Sequence, residues 1–322
     1  SISYILIYNM KYAIKAQNLT KKFKNDVAVD SIDLKIESGS IYGFLGPNGA
    51  GKSTTVKMLI SLLVPSSGDA IILGDSVITE ADTVRLKIGA ALQEASLDEM
   101  QTGRELLRTQ GGLYGLSTSD IDSRIEDLES LIDIGKALDE RIKTYSGGMK
   151  RRVDLAAALI HNPKVLFLDE PTTGLDPSSR NKIWKEIRRL NEELGMTIFL
   201  TTQYLEEADE LANMIGIINK GKLVAEDTPA NLKKQIGNDV VSVHLKTALN
   251  GLKKLEKIQG ITSVKQKNNA LSIYAKDGGK AVAEIVSVLN SMKAEITDME
   301  IRKPTLDDVF LKVTEGASDE SR

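Results

Sequence analysis

The sequence has no cysteine, which excludes disulfides, thiolate nucleophiles and thiolate metal sites, and suits a reducing compartment. Histidine occurs only at His161 and His244, so a His-rich metal centre is excluded as well. An excess of one charge is also lacking. The 42 Lys and Arg stand against 45 Asp and Glu, a net charge of −3, so no global field draws the chain to nucleic acid or anionic lipid. Long apolar runs are missing too: Ile5 to Tyr8, the most apolar stretch near the start, is far shorter than the ~20 residues a spanning helix needs. Neither nucleic-acid binding nor direct membrane insertion is expected.

What is present is enough sequence, 322 residues at 41% hydrophobic, for one large core with a smaller appended domain. Met10-Lys11-Tyr12-Ala13 reads like an ordinary start, so residues 1–11 are set aside as an N-terminal extension. From Tyr12 to Gly51 short apolar alternations broken by polar turns read as strands, ending in Ser40-Ile41-Tyr42-Gly43-Phe44-Leu45. Residues 53–64 then carry helical spacing, with Val56, Leu59, Ile60 and Leu63, stopped by Pro65-Ser66-Ser67-Gly68. A helical stretch over 102–161 is followed by Val165 to Leu168 and Thr197 to Thr201, which look like short buried parallel strands. Beyond residue 238 the order is strand, helix, strand, strand, helix, strand, which is the split-βαβ layout. A helical tail, Leu306 to Val313, closes the second domain at 314, and 315–322 are expected to be disordered.

Gly46-Pro47-Asn48-Gly49-Ala50-Gly51-Lys52-Ser53 fits G-x-x-x-x-G-K-[ST] between a strand and a helix, the context in which that motif cradles phosphate. Its glycines let the backbone wrap an anion, the helix start (Lys52, Ser53, Thr54) offers N–H groups, Lys52 reaches the β/γ-phosphates, and the Ser53 hydroxyl suits Mg²⁺. Val165-Leu166-Phe167-Leu168-Asp169-Glu170 delivers two carboxylates at a strand's C-terminal end, where open α/β sheets bind ligands. Asp169 is suited to Mg²⁺ through water, and Glu170 to acting as general base on the attacking water. Taken alone, an acidic pair there is more often a solvated turn; the phosphate loop reverses those odds.

Tyr145-Ser146-Gly147-Gly148-Met149-Lys150-Arg151-Arg152 resembles the signature of the ATP-binding-cassette (ABC) family, and Pro171-Thr172-Thr173-Gly174-Leu175-Asp176 its D-loop. The resemblance spans most of residues 12–230 and implies a RecA-like P-loop α/β core, with an antiparallel β-subdomain and a helical subdomain at about 95–162. The ATPase domain is expected at 12–237 and a small ferredoxin-like α+β accessory domain at 238–314. Ser146 is a good N-cap, and Gly147 and Gly148 leave backbone N–H groups bare, which makes a second anion site. One subunit needs one phosphate cradle per nucleotide; a head-to-tail pair of cassettes uses both, each signature closing on the other's nucleotide. The resemblance also matches Phe23 to the aromatic that stacks on adenine, with a core phenylalanine as the alternative. It matches Gln93, 41 residues after Lys52, to the Mg²⁺-touching Q-loop glutamine, and Asp176 to the D-loop aspartate.

Thr201-Thr202-Gln203-Tyr204-Leu205-Glu206-Glu207-Ala208 reproduces the family's switch-histidine segment, but Gln203 holds the histidine position. A carboxamide can donate to the γ-phosphate yet does not titrate near neutral pH as imidazole does. The expectation is intact nucleotide binding and dimer closure with slowed hydrolysis. Thr102-Gly103-Arg104-Glu105-Leu106-Leu107 and Pro304-Thr305-Leu306-Asp307-Asp308-Val309-Phe310-Leu311 resemble the daunorubicin-resistance type of cassette subunit. That implies an ATP- and Mg²⁺-dependent cytoplasmic motor, peripheral on the inner face of the membrane, working with a second cassette and a separate permease. The alternatives are a soluble non-transport cassette ATPase and a slow-hydrolysing nucleotide-dependent binding module.

Overall fold

The structure, a computed structural model, describes residues 10–24, 26–92, 97–132 and 135–319. The chain divides into two compact units, the first up to Glu226 and the second from Asp227.

In the first unit, β3 (Ile41–Leu45), β6 (Ile88–Ala91), β7 (Val165–Asp169), β8 (Thr197–Thr202), β9 (Met214–Asn219) and β10 (Lys222–Asp227) form a sheet in the order β10-β9-β3-β8-β7-β6. The pairings β9-β3, β3-β8, β8-β7 and β7-β6 are parallel. Successive side chains point to opposite faces, so β7 sends Val165 and Phe167 into one core cluster and Leu166 and Leu168 into another. Burial on both faces explains why β3 and β7 read as continuous apolar runs rather than alternations. On one face Phe199 lies 5.4–5.6 Å, ring centre to ring centre, from Tyr42, Phe44 and Phe167.

A separate antiparallel sheet, order β2-β1-β4-β5, is built from β1 (Tyr12–Phe23), β2 (Asp26–Glu37), β4 (Ser67–Ile72) and β5 (Asp75–Ser76). The helical insertion holds α3 (Gly103–Leu113), α4 (Thr118–Ile132), two short 3₁₀ turns and α5 (Gly147–Leu159). Helix α3 opens with a full capping box between Thr102 and Glu105. Earlier come α1 (Lys52–Leu59) and α2 (Ala81–Lys87); α6 (Pro177–Leu194) and α7 (Leu205–Leu211) complete this unit. Helix α1 ends at Leu59 rather than at the expected residue 64, because Ser61 adopts φ 59 and the Leu62 and Leu63 amides turn back to the Lys57 carbonyl.

The second unit starts earlier than the expected residue 238, with α8 (Pro229–Lys234), which Thr228 caps by accepting from the Asn231 amide at 3.2 Å. There follow β11 (Asp239–Leu245), α9 (Lys253–Glu256), β12 (Ile261–Lys267), β13 (Ala270–Ala275), α10 (Gly278–Ser291), β14 (Ile296–Arg302) and α11 (Leu306–Asp319). The four strands are antiparallel in the order β12-β13-β11-β14, the sheet a split-βαβ chain makes. Helix α9 is only four residues long; Gly251, at φ 89, sits just before it and keeps it from starting earlier. The backbone of α11 continues to Asp319, past the expected end at Val313 and into the stretch expected to be disordered.

Candidate functional site

Strands β3, β7 and β8 lie side by side, and their C-terminal ends deliver the phosphate loop, the carboxylate pair and Gln203 to one edge of the sheet. At Gly46 the loop leaves β3 so tightly that a Cβ there would meet the Ile218 carbonyl oxygen at 2.5 Å. Gly51 has φ +110, and its Cβ would meet the Ala28 carbonyl oxygen at 2.5 Å, so neither position accepts a side chain. Between them the Ala50 amide donates to the Pro47 carbonyl at 3.1 Å, tightening the turn. As the N-cap of α1, Gly51 brings no side-chain acceptor, and the first turn carries no acidic residue. The helix start is thereby suited to an external anion.

Lys52 is 4% exposed; its ammonium donates to the Gly46 carbonyl at 2.9 Å and lies 3.3 Å from Glu170 Oε1. Glu170, 8% exposed, has a left-handed backbone, φ 49, which is uncommon for a side-chain-bearing residue. Its amide donates to the Thr201 carbonyl at 3.0 Å and to Thr201 Oγ1 at 3.1 Å, and Thr173 Oγ1 donates to its Oε2 at 3.2 Å. Asp169 pairs in register with Thr201, whose hydroxyl donates to Asp169 Oδ1. A cavity of about 320 Å³ is lined by Ala28, Asn48, Gly49, Gly51, Lys52, Ser53, Thr54, Glu170 and Gln203. Gly49, at φ +79, would carry a Cβ into open space there.

These residues fit a magnesium nucleotide. The loop and helix start supply N–H groups for phosphate, Lys52 a point charge, and Ser53 and Asp169 hard oxygen donors. Among the described residues no group of three His, Cys, Asp or Glu side chains could hold a metal ion. Chemically, a carboxylate beside a phosphate cradle can orient and deprotonate a water.

Other expected residues lie apart. Ser146 caps α5, accepting from the Met149 amide at 3.3 Å, and it and Gly147 are exposed; neither they nor Gly148 line the cavity. Asp176 caps α6, accepting from the Ser178 and Ser179 amides at 3.0 Å and from Ser179 Oγ at 2.6 Å, and these bonds hold its carboxyl below the usual range. Phe23 is 46% exposed with the Lys21 ammonium 5.3 Å from its ring centre, which removes the core alternative. Gln93 falls outside the described residues.

Sequence reasoning missed Thr201 and Glu207. Glu207 Oε1 accepts from Thr172 Oγ1 and Trp184 Nε1, each at 2.8 Å, so it ties the D-loop to α6 and to the helix after Gln203. Burial pushes its carboxyl pKa up, against the pull of its hydrogen-bond donors. The signal was present: an acidic residue in the apolar face of α7, between Tyr204 and Ala208.

The family model described as "ABC transporter" matches residues 29–173, and that described as "ATP-binding protein DrrA1-3-like, C-terminal domain" matches 228–314. The chain is 42% identical over 96% of its length to the daunorubicin/doxorubicin resistance ATP-binding protein DrrA of Streptomyces peucetius, covering 94% of that protein. It is 32% identical to the linearmycin resistance ATP-binding protein LnrL of Bacillus subtilis (94% of this chain, 98% of that one). To the Nod factor export ATP-binding protein I of Cupriavidus metallidurans it is 35% identical (95% and 98%). Among solved structures, the post-hydrolysis dimer of the ATP-binding cassette MJ0796 bound to ADP and Pi superposes with TM-score 0.62 at 26% identity, covering 67% of this chain and 98% of that one. With that similarity extending through both units, and the phosphate loop, carboxylate pair and Gln203 segment gathered at one sheet edge, the chain belongs to the ABC transporter family as an ATP-binding, ATP-hydrolysing subunit.

Proposed function

We propose that this chain is the cytoplasmic motor of an exporter of drug-like, lipophilic molecules, closing with a second cassette around two Mg-ATP and driving a separate membrane permease. The observation that carries this reading is the full-length similarity, second unit included, to subunits named for drug resistance and export. Support for a second cassette comes from the site itself. The Ser146-Gly147-Gly148 turn opens a helix whose serine cap and first glycine are exposed and lie apart from the residues lining the chain's own phosphate cavity, which suits closing on a partner's nucleotide. Support for a permease comes from a groove of about 380 Å³ between β6 and the helical insertion. Leu92, Leu97, Leu106 and Tyr114 give it apolar walls and Arg85 and Asp154 charged ones, which fits an amphipathic helix. Among the described residues no helix is long and apolar enough to cross a membrane, so membrane attachment would run through that partner.

In this reading Lys52 neutralises the terminal phosphates, and Glu170 orients the attacking water and takes its proton, while Asp169 and Ser53 would hold Mg²⁺. Bound Mg²⁺ supplies charge neutralisation at the transferring phosphate. Phe23 stacks on adenine, and Gln203 donates to the γ-phosphate. The test is to identify the membrane protein that co-purifies with the chain and to measure ATP-dependent drug transport by the pair in vesicles. Transport lost in Glu170→Gln supports the reading, and a ribosome or DNA partner overturns it. A slow-hydrolysing binding module is the second reading, favoured by Gln203 alone.

A further inference from the structure

Arg151 stands in α5, one turn after Ser146, with its guanidinium almost enclosed at 11% exposure. Nε donates to the Pro171 carbonyl at 3.0 Å. Nη1 donates to the Leu92 carbonyl at 2.8 Å and to Asp154 Oδ2 at 3.0 Å. Nη2 donates to the Ala91 carbonyl at 3.4 Å and the Asp169 carbonyl at 3.3 Å. Each of the five guanidinium N–H groups thus has its own acceptor.

Two of those acceptors are the carbonyls on either side of Glu170, and two lie at the end of β6, where Ala91 pairs in register with Leu168 of β7. Glu170 sits at φ 49, a conformation that persists only where the surroundings over-determine it. Its amide is fixed from the β8 side by Thr201, and its flanking carbonyls are fixed from the α5 side by Arg151. We propose that Arg151 is the positioning residue of the hydrolytic carboxylate, gripping the backbone before and after Glu170 and so holding it left-handed and aimed into the nucleotide cavity. The role is specific to arginine. Lysine offers three donors from one point and cannot reach five acceptors spread around a plane. Asp154, itself 15% exposed, fixes the guanidinium plane from one turn further along α5.

The inference rests on Glu170 being the general base, and the test separates the two. In the purified full chain, Arg151→Lys, Asp154→Ala and Glu170→Gln are compared with wild type for kcat, KM for Mg-ATP, affinity for a fluorescent ATP analogue, and Tm. Arg151 is not among the residues lining the phosphate cavity, so Arg151→Lys is expected to keep nucleotide affinity within about twofold while kcat falls about 10- to 100-fold, as small misplacements of a reacting group do. Unchanged kcat in Arg151→Lys overturns the positioning role; unchanged kcat in Glu170→Gln overturns the base assignment instead. If Arg151→Lys fails to fold, Asp154→Ala decides. A fall in kcat at constant nucleotide affinity supports the role, whereas wild-type kcat, or parallel loss of affinity and Tm, marks the pair as merely structural and overturns it.

Discussion

Lys52 and Glu170 are each other's counter-charge, 3.3 Å apart with side chains 4% and 6% exposed. Removing one member of such a pair leaves the other uncompensated and costs about 3–5 kcal/mol. Lys52→Met is therefore expected to lower the denaturant midpoint and abolish phosphate release. Adding Glu170→Gln should recover most of the stability and none of the turnover; a double variant no more stable than Lys52→Met would show that the pair is not the reason. Gln203 gives a second residue-scale outcome: with the permease present, Gln203→His should raise kcat, and equal rates would remove the switch argument. Asp154 gives a third. Burial, outweighing the neighbouring Arg151, raises its carboxyl from 3.8 to about 6, so between pH ~4 and ~6 the folded chain keeps a proton that the unfolded chain releases. This group's contribution to stability therefore falls as pH rises through that window. Asp154→Asn removes the fall, so unfolding free energy of the variant minus wild type should climb from pH ~4 to ~6; a flat difference refutes the raised pKa.

At the scale of elements, legibility followed the range of the interaction. The phosphate loop was readable because strand, glycine turn and helix are contiguous, and the carboxylate pair because an apolar run of five residues ends in it. The N-cap at Ser146 was equally local, and Ser146→Ala should cost about 1 kcal/mol in chemical denaturation, the usual value for losing a cap. Helix ends were less legible: α1 stops early through a left-handed Ser61, a conformation that serine does not advertise. Least legible were side chain-to-backbone bonds between distant segments. Arg151 reaches carbonyls 18 to 60 residues away, and a carbonyl acceptor leaves no mark on residue identity. The reading of Arg151 stopped at its place in the signature, and that of Thr201 at a strand position, because what each binds is set by sheet order and by how α5 meets the ends of β6 and β7. The start of the second unit was missed for another reason: Thr228-Pro229 is a legible cap-and-proline helix start, but the pattern change at 238 was the louder signal.

At the scale of the whole molecule, two separately cored units make stability a property of each. The first unit buries its apolar side chains on both faces of the mixed sheet, whereas the second buries Val241, Val243, Leu271, Ile273, Ile285 and Leu289 in a cluster of its own. Only the first contains the phosphate cavity. A ligand that binds the folded form stabilises it by RT ln(1 + [L]/Kd), about 2.7 kcal/mol at a hundred times Kd, and that stabilisation belongs to the unit that binds. Calorimetry is therefore expected to resolve two transitions, of which Mg-ATP, in the slow Glu170→Gln background, raises one. Ile285 is fully buried, and Ile285→Ala, at a cost of about 2–5 kcal/mol, should lower the other while leaving the nucleotide-sensitive transition and the affinity for ATP unchanged. If Ile285→Ala instead weakened nucleotide binding, or Mg-ATP raised both transitions equally, the second unit would be energetically part of the motor rather than a domain carried beside it.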